Sequence, residues 1–150
     1  MEQREILKRL RLAGTTLEGD KPVVVALTYI KGISHTLASA IADKAGVDRW
    51  ALLGTLSEEE LAKLEEVIRD PAKFGIPWWL LNRQRDPVDG QSKLLIGDEL
   101  DFTMKQDIEK MKKMKCWKGI RHALGLKVRG QRTKTTGRVG RTVGYQRKRR

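Results

Sequence analysis

The sequence predicts a mainly α-helical fold that ends in an extended basic tail, and three observations carry that reading. Apolar residues recur at helical spacing on both sides of the turn Lys31-Gly32-Ile33-Ser34. Two segments, Ser57-Glu58-Glu59-Glu60 and Thr103-Met104-Lys105-Gln106, carry the Ser/Thr-x-x-Glu/Gln pattern of a capping box. The third observation is the placement of charge. Residues 1–110 hold 16 Lys+Arg against 19 Asp+Glu, whereas residues 111–150 hold 15 basic residues and no acidic one.

Taken in order, Leu10 and Leu12 alternate with Arg9 and Arg11, which predicts a short strand before a turn-rich stretch from Gly14 to Asp20. Pro22 suits the first position of a helix, with Asp20 as a capping oxygen, whereas Val23, Val24 and Val25 favour a strand, so both readings stay open. From Ala26 to Ile41 the pattern is helix, tight turn, helix, with Leu27 and Ile30 before the turn and Leu37, Ala38 and Ile41 after it. Gly32 can take a positive φ, Ile33 can plug the core and Ser34 can cap the second helix. The amides at that helix start would then face a phosphate oxygen. The plainer alternative is a pair of core helices joined by a glycine turn. His35 reads as a polar residue at the helix start, since nothing near it in sequence completes a nucleophile and base arrangement.

Ser57 opens the next helix, Leu61, Leu64 and Ile68 form its buried stripe, and Asp70-Pro71 ends it. Capping accounts for its three carboxylates better than a metal site does. Between Gly75 and Phe102 lies an insertion in which the Asp89-Gly90 turn predicts a short β-hairpin ending near Leu94 to Ile96. Trp78 and Trp79 are expected to anchor this loop to the helices, and Arg83 and Arg85 to meet phosphates. Thr103 is expected to start a helix with Met104, Ile108 and Met111 on one face, and Lys110, Lys112, Lys113 and Lys115 suit its negative end. Trp117, Ile120 and Leu124 continue the period to a stop at Gly125, and Cys116 reads as a small buried apolar side chain.

At 150 residues the chain suits one domain, or a small domain with an extension, rather than a large multi-domain enzyme. A formal charge of +12 makes nucleic acid the first partner to consider and an anionic membrane the second. One cysteine excludes an intramolecular disulfide, and the absence of CxxC or His clusters argues against structural zinc. A reducing compartment and no resident metal are therefore expected. The longest uncharged stretches, such as Pro22 to Ile30, fall far below the roughly 20 residues of a membrane span, and the N-terminus lacks a signal-like apolar run. A soluble chain without a membrane partner is the expectation.

Lys127 to Arg150 holds ten basic residues, with Val128, Val139 and Val143 as its aliphatic side chains. Such a segment buries too little apolar area to offset about 1–2 kcal/mol of ordering entropy per residue, so disorder in the free chain is expected. Gly, Thr and Gln separate Lys127, Arg129, Arg132, Lys134, Arg138 and Arg141, spacing that lets an extended chain meet successive phosphates. With roughly six to ten such contacts, affinity should fall by about 10³–10⁵ between about 50 and 200 mM salt.

Four segments carry a family resemblance: Leu27–Ile41 (LTYIKGISHTLASAI), Gly75–Asp86 (GIPWWLLNRQRD), Asp98–Asp107 and Arg121–Thr136 (RHALGLKVRGQRTKTT). They closely resemble the small-subunit ribosomal protein thirteen family, from about Ile6 to the C-terminus. The RGQRT run, Arg129 to Thr133, behind a glycine-ended helix is the most specific of them. The insertion resembles that of the longer archaeal and eukaryotic form, the archaeal one in particular.

The resemblance implies an N-terminal helical body with a helix-two-turns-helix module over residues 1–74 and a loop or hairpin insertion over 75–102. A long and a short helix over 103–126 and a basic RNA-binding tail over 127–150 complete it. It also implies a cytoplasmic place in the head of the small ribosomal subunit, on 16S-type rRNA and beside small-subunit protein nineteen. Large-subunit protein five and large-subunit rRNA are implied at a subunit bridge, and P-site tRNA at the tail. In line with this resemblance, no cofactor and no catalytic residues are expected either.

Carried over by residue, the gripping turn is Lys31, Gly32, Ile33 and Ser34. Further rRNA candidates are Arg83, Arg85, Lys112, Lys113, Lys115, Lys118, Arg121 and His122. The rRNA and tRNA tail comprises Lys127, Arg129, Gly130, Gln131, Arg132, Thr133, Lys134, Thr135, Arg138, Arg141, Arg147, Lys148, Arg149 and Arg150. Ser34 stands where the family commonly has a second turn glycine, and Lys127 where it commonly has a proline. Competing readings are a DNA repair glycosylase and a chromosome-compacting protein. The former usually shows an N-terminal Pro-Glu and a four-cysteine zinc element, whereas this chain starts Met1-Glu2-Gln3 and has one cysteine.

Overall fold

Leu10 and Leu12 lie on a strand, as their alternation predicts, and the strand has a partner the sequence hid. The computed structural model describes residues 7–135. Within them β1 (Arg9–Leu12) pairs antiparallel with β2 (Thr15–Glu18), in a register that sets Leu10 opposite Leu17 and Leu12 opposite Thr15. The connection is Ala13-Gly14, with φ of 46° and 77°. Positive φ at both positions matches the right-handed twist of a hairpin. The stretch expected to be only turns therefore holds β2, because a two-residue turn frees Thr15 and Thr16 to pair. Leu12 and Leu17 are buried beneath it.

The divided propensity of the valines resolves as α1 (Val23–Leu27), because burial overrides it. Val23, Val24, Ala26 and Leu27 are all buried. Pro22 sits at the N-cap, one position earlier than expected, and no side chain caps this helix. Instead Ala51 O accepts the Val23 amide at 2.9 Å and Arg49 O the Val24 amide at 3.3 Å. The chain following α2 (His35–Ala45) thus satisfies the first amides of α1.

Leu37, Ala38, Ile41 and Ala42 bury one stripe of α2. The capping box at Ser57 forms, with Glu60 accepting from the Ser57 amide and Ser57 from the Glu60 amide, and opens α3 (Glu58–Arg69). Its buried stripe is Leu64, Val67 and Ile68, with Leu61 at the margin. Together with Ile30 and Leu53 these residues form one core over which the hairpin, α1, α2 and α3 close. Fully burying each leucine or isoleucine contributes about 1.5–3 kcal/mol.

The insertion contains no ladder. A single bridge joins Arg83 and Lys93, and Gly90 N donates to Asp86 O at 2.7 Å. The expected hairpin is thus reduced to one antiparallel bridge around the Asp89-Gly90 turn, with Asp86 N donating to Gln91 O at 2.9 Å. Pairing goes no further because Arg85, at φ 47°, gives its amide to Ser92 Oγ instead of a strand carbonyl. The tryptophan expectation is also corrected. Trp78 and Trp79 are 54% and 59% exposed in a 3₁₀ turn, and Ile76, Leu81 and Leu95 anchor the loop instead.

Helix α4 runs Gly97–Lys113, so Thr103 lies inside a helix rather than at its start. Asp98 and Glu99 occupy the first turn, where carboxylates complement the helix dipole. Among the described residues the contact pattern divides the chain after Phe102 into two compact units. In the second unit Lys115, at φ 50°, breaks the helix before α5 (Trp117–Ala123). Cys116 is half-buried and is the N-cap of α5, its Sγ accepting from Gly119 N at 3.4 Å; it is not the core side chain expected. Gly119 lies against the end of α4, where a Cβ would stand 2.0 Å from Met111 O. Leu126 N then donates to Arg121 O at 3.0 Å beyond the Gly125 stop. Among the described residues no helix is long and apolar enough to cross a membrane.

Candidate nucleic-acid interface

The turn between α1 and α2 is built as its residues dictate. Gly32 adopts φ 102°, Ile33 is buried, and Ser34 Oγ accepts the Leu37 amide at 3.4 Å. The hydroxyls of Ser34 and Thr36 lie 3.0 Å apart, and Ser34, His35 and Thr36 are exposed. The start of an eleven-residue helix, with its amides and two hydroxyls, is therefore presented outward. An oxyanion is the chemical group such a surface suits.

Gly32 has a second role, absent from the sequence reading. A Cβ there would stand 2.2 Å from Leu95 O and 3.0 Å from Asn82 Nδ2, so the insertion itself occupies the close-approach side of the glycine. Asn82 fastens this contact. Its Nδ2 donates to Leu95 O at 2.6 Å and to Gly32 O at 3.4 Å, while its Oδ1 accepts the Leu95 amide at 2.9 Å. Gly97 N adds a bond to Lys31 O at 3.0 Å. The face of the turn left for a phosphate is thus that of Ser34 to Thr36, rather than the Cα of Gly32. Asn82 lies within the GIPWWLLNRQRD segment, but nothing in that segment assigned it a role. Its one signal is a polar amide set between Leu81 and Arg83 in a segment anchored by apolar neighbours.

Lys31 extends from the turn to Asp101, with Nζ and Oδ2 2.6 Å apart. The hydrogen bond to Asp101, followed by that carboxylate's charge, raises the Lys31 pKa above the ordinary lysine value. Arg83 is half-buried and its Nε donates to Asp86 Oδ2 at 3.2 Å. The Val88 amide first, and then the Arg83 side chain, lowers the Asp86 pKa. Arg85 is exposed at φ 47°. The two arginines paired in the sequence reading therefore stand in different settings: one is engaged in holding the loop, and the other faces outward.

In the second unit Lys112, Lys113, Lys115 and Lys118 are exposed. Arg121 and His122 are half-buried. Arg121 Nε donates to Lys127 O at 3.0 Å, with the guanidinium 5.6 Å from the Trp117 ring centroid. This contact fixes where the tail departs from α5, a role the sequence did not assign to Arg121. Lys127, Arg129, Gly130, Gln131, Arg132, Thr133, Lys134 and Thr135 are exposed and form neither helix nor strand. Gln131 Oε1 accepts the Arg129 amide at 2.9 Å, a local bend within the RGQRT run. Arg138, Arg141, Arg147, Lys148, Arg149 and Arg150 lie outside the described residues. Among the described residues no group of three or more His, Cys, Asp and Glu side chains is placed to hold a metal ion.

Residues 11–139 match the family model described as ribosomal protein S13/S18. The chain is 55% identical over 138 residues to the small ribosomal subunit protein uS13 of Thermofilum pendens, covering 92% of this chain and 88% of that protein. It is 50% identical to uS13 of Staphylothermus marinus, over 94% of this chain and 93% of the relative. Identity to uS13 of Methanocaldococcus jannaschii is 45%, over 99% of both chains.

Proposed function

The chain belongs to the ribosomal protein S13/S18 family, and from that membership we propose that it is a structural constituent of the small ribosomal subunit, bound to 16S-type rRNA in the subunit head. The observation that carries the proposal is similarity to uS13 proteins along nearly the whole chain, including the exposed basic run from Lys127 to Lys134.

Two elements divide the binding. The outward start of α2, with Lys31 beside it, grips phosphate by amide dipoles and hydroxyls and reads no base edge. The tail supplies charge at successive positions along an extended backbone. Gln131 and the threonines add neutral ligands for phosphate and 2′-hydroxyl groups. Lys112, Lys113, Lys115 and Lys118 extend the rRNA-facing charge along α4 and into α5, and Arg121 sets the direction in which the tail leaves. The tail orders on contact, so part of its gross interaction energy is consumed in ordering.

The finer placement follows the family. Small-subunit protein nineteen is the neighbour in the head, and large-subunit protein five with large-subunit rRNA meets the chain at a bridge. The tail reaches P-site tRNA, by charge and shape and with no catalysis of its own. A slightly acidic body suits protein neighbours, and the +15 stretch suits RNA.

Sedimentation of the tagged full chain in a lysate of its source cells tests the assignment. Quantitative co-migration with small subunits at moderate salt is the expected result. Migration as free protein, or with chromosomal DNA, would contradict it.

A further inference from the structure

Lys31 supplies the cation of the gripping turn, and an anion of the chain already holds it. The Asp101 carboxylate lies 2.6 Å from its ammonium, seventy residues away in sequence, and Asp98 adds negative potential from the same end of α4. The backbone enforces the approach. Gly97 N donates to Lys31 O, and Asn82 fastens Leu95 over Gly32, so α4 begins directly beside the turn.

We infer that Asp101 is a specificity-determining residue of this turn: its carboxylate stands where a phosphate oxygen would meet Lys31, so RNA engages that lysine only by displacing it. The inference rests on the turn being an rRNA-gripping element. The side chains of Lys31 and Asp101 are 65% and 36% exposed, so the pair is screened and exchangeable rather than locked. A phosphate that meets Lys31 alone replaces one exposed ion pair with another and leaves Asp101 repelling it. A phosphate that also reaches the amides at the start of α2 gains bonds that the carboxylate does not provide. Asp101 thus penalises loose polyanion contact more than fitted contact, a useful bias in a chain whose tail attracts any nucleic acid.

The experiment measures binding of the full chain to a small-subunit head rRNA fragment and to an unrelated RNA of equal length, across a salt series. Asp101→Asn keeps the side-chain size and an acceptor for Lys31 but removes the charge. Expected is about a two- to fivefold gain in affinity for the unrelated RNA. The gain for the head fragment should be smaller, and the salt slope for the unrelated RNA should steepen by about one phosphate contact. Asp101→Glu should restore selectivity, and the gain should shrink in a Lys31→Ala background. Unchanged or reduced affinity of a folded Asp101→Asn chain for the unrelated RNA, with Lys31→Ala still weakening the head fragment, overturns the inference alone. Full affinity of Lys31→Ala for the head fragment overturns the reading of the turn itself.

Discussion

Asn82 and Leu95 are joined through both ends of one side-chain amide, which donates to the Leu95 carbonyl at 2.6 Å and accepts the Leu95 amide at 2.9 Å. The side chain acts as a one-residue strand edge and holds the insertion against the turn that presents α2. Asn82→Ala leaves both Leu95 backbone groups without this partner, and a lost part-buried polar contact costs about 1–3 kcal/mol. Chemical denaturation should show a loss in that range. Asn82→Asp keeps the acceptor but sets a carboxylate oxygen against the Leu95 and Gly32 carbonyls, so its loss should be no smaller than that of Asn82→Ala.

At Gly32 two constraints coincide: φ of 102° and a carbonyl 2.2 Å from the site of a Cβ. Because the obstructing atom is backbone, Gly32→Ala must displace either the turn or the insertion. A cost of about 1–3 kcal/mol is expected from the dihedral alone. Faster hydrogen exchange at the amides of Leu95 and Gly97, relative to Leu64 in the α3 core, would report the displacement.

Local chemistry was legible in the sequence, and contacts across the chain were not. The starts of α2 and α3 were readable because Ser34 and Ser57 bond amides three residues ahead of them. The same pattern misled at Thr103, where the helix had already begun at Gly97, beside the Lys31 carbonyl. The strand Thr15–Glu18 depends on pairing with β1, and Thr15 and Thr16 alone do not announce it. Exposure of Trp78 and Trp79 depends on which neighbours fill the inward positions, and Ile76 and Leu81 took them. The basic tail was plain from charge placement, but the clamp at Asn82 and the ion pair at Lys31 span 13 and 70 residues.

The Asp86 carboxyl offers a pH test. Its folded pKa lies below the ordinary value of 3.8, so the folded chain binds that proton less tightly than the unfolded chain. Its stabilising contribution is complete well above 3.8 and is lost as pH falls through the depressed folded value. NMR titration should place the Asp86 midpoint below 3.8, and Arg83→Ala should raise it only partway, because the Val88 amide bond, the larger cause, remains.

Gly119→Ala should open the corner between α4 and α5. A Cβ would lie 2.0 Å from Met111 O and 2.8 Å from Lys112 N, contacts that require the backbone to move. Loss of amide protection from Cys116 to Leu124, with the β1–β2 hairpin unchanged, is the expected exchange pattern.

The central claim, that the tail provides the electrostatic part of rRNA binding while residues 7–126 hold the fold, is tested most directly by comparing salt slopes. Binding of the full chain and of a chain ending at Leu126 should be measured against the same head rRNA fragment between about 50 and 200 mM salt. The shortened chain should keep the helical circular dichroism of the body, bind more weakly and show a slope flattened by several phosphate contacts. An unchanged slope in a folded, shortened chain would contradict the account.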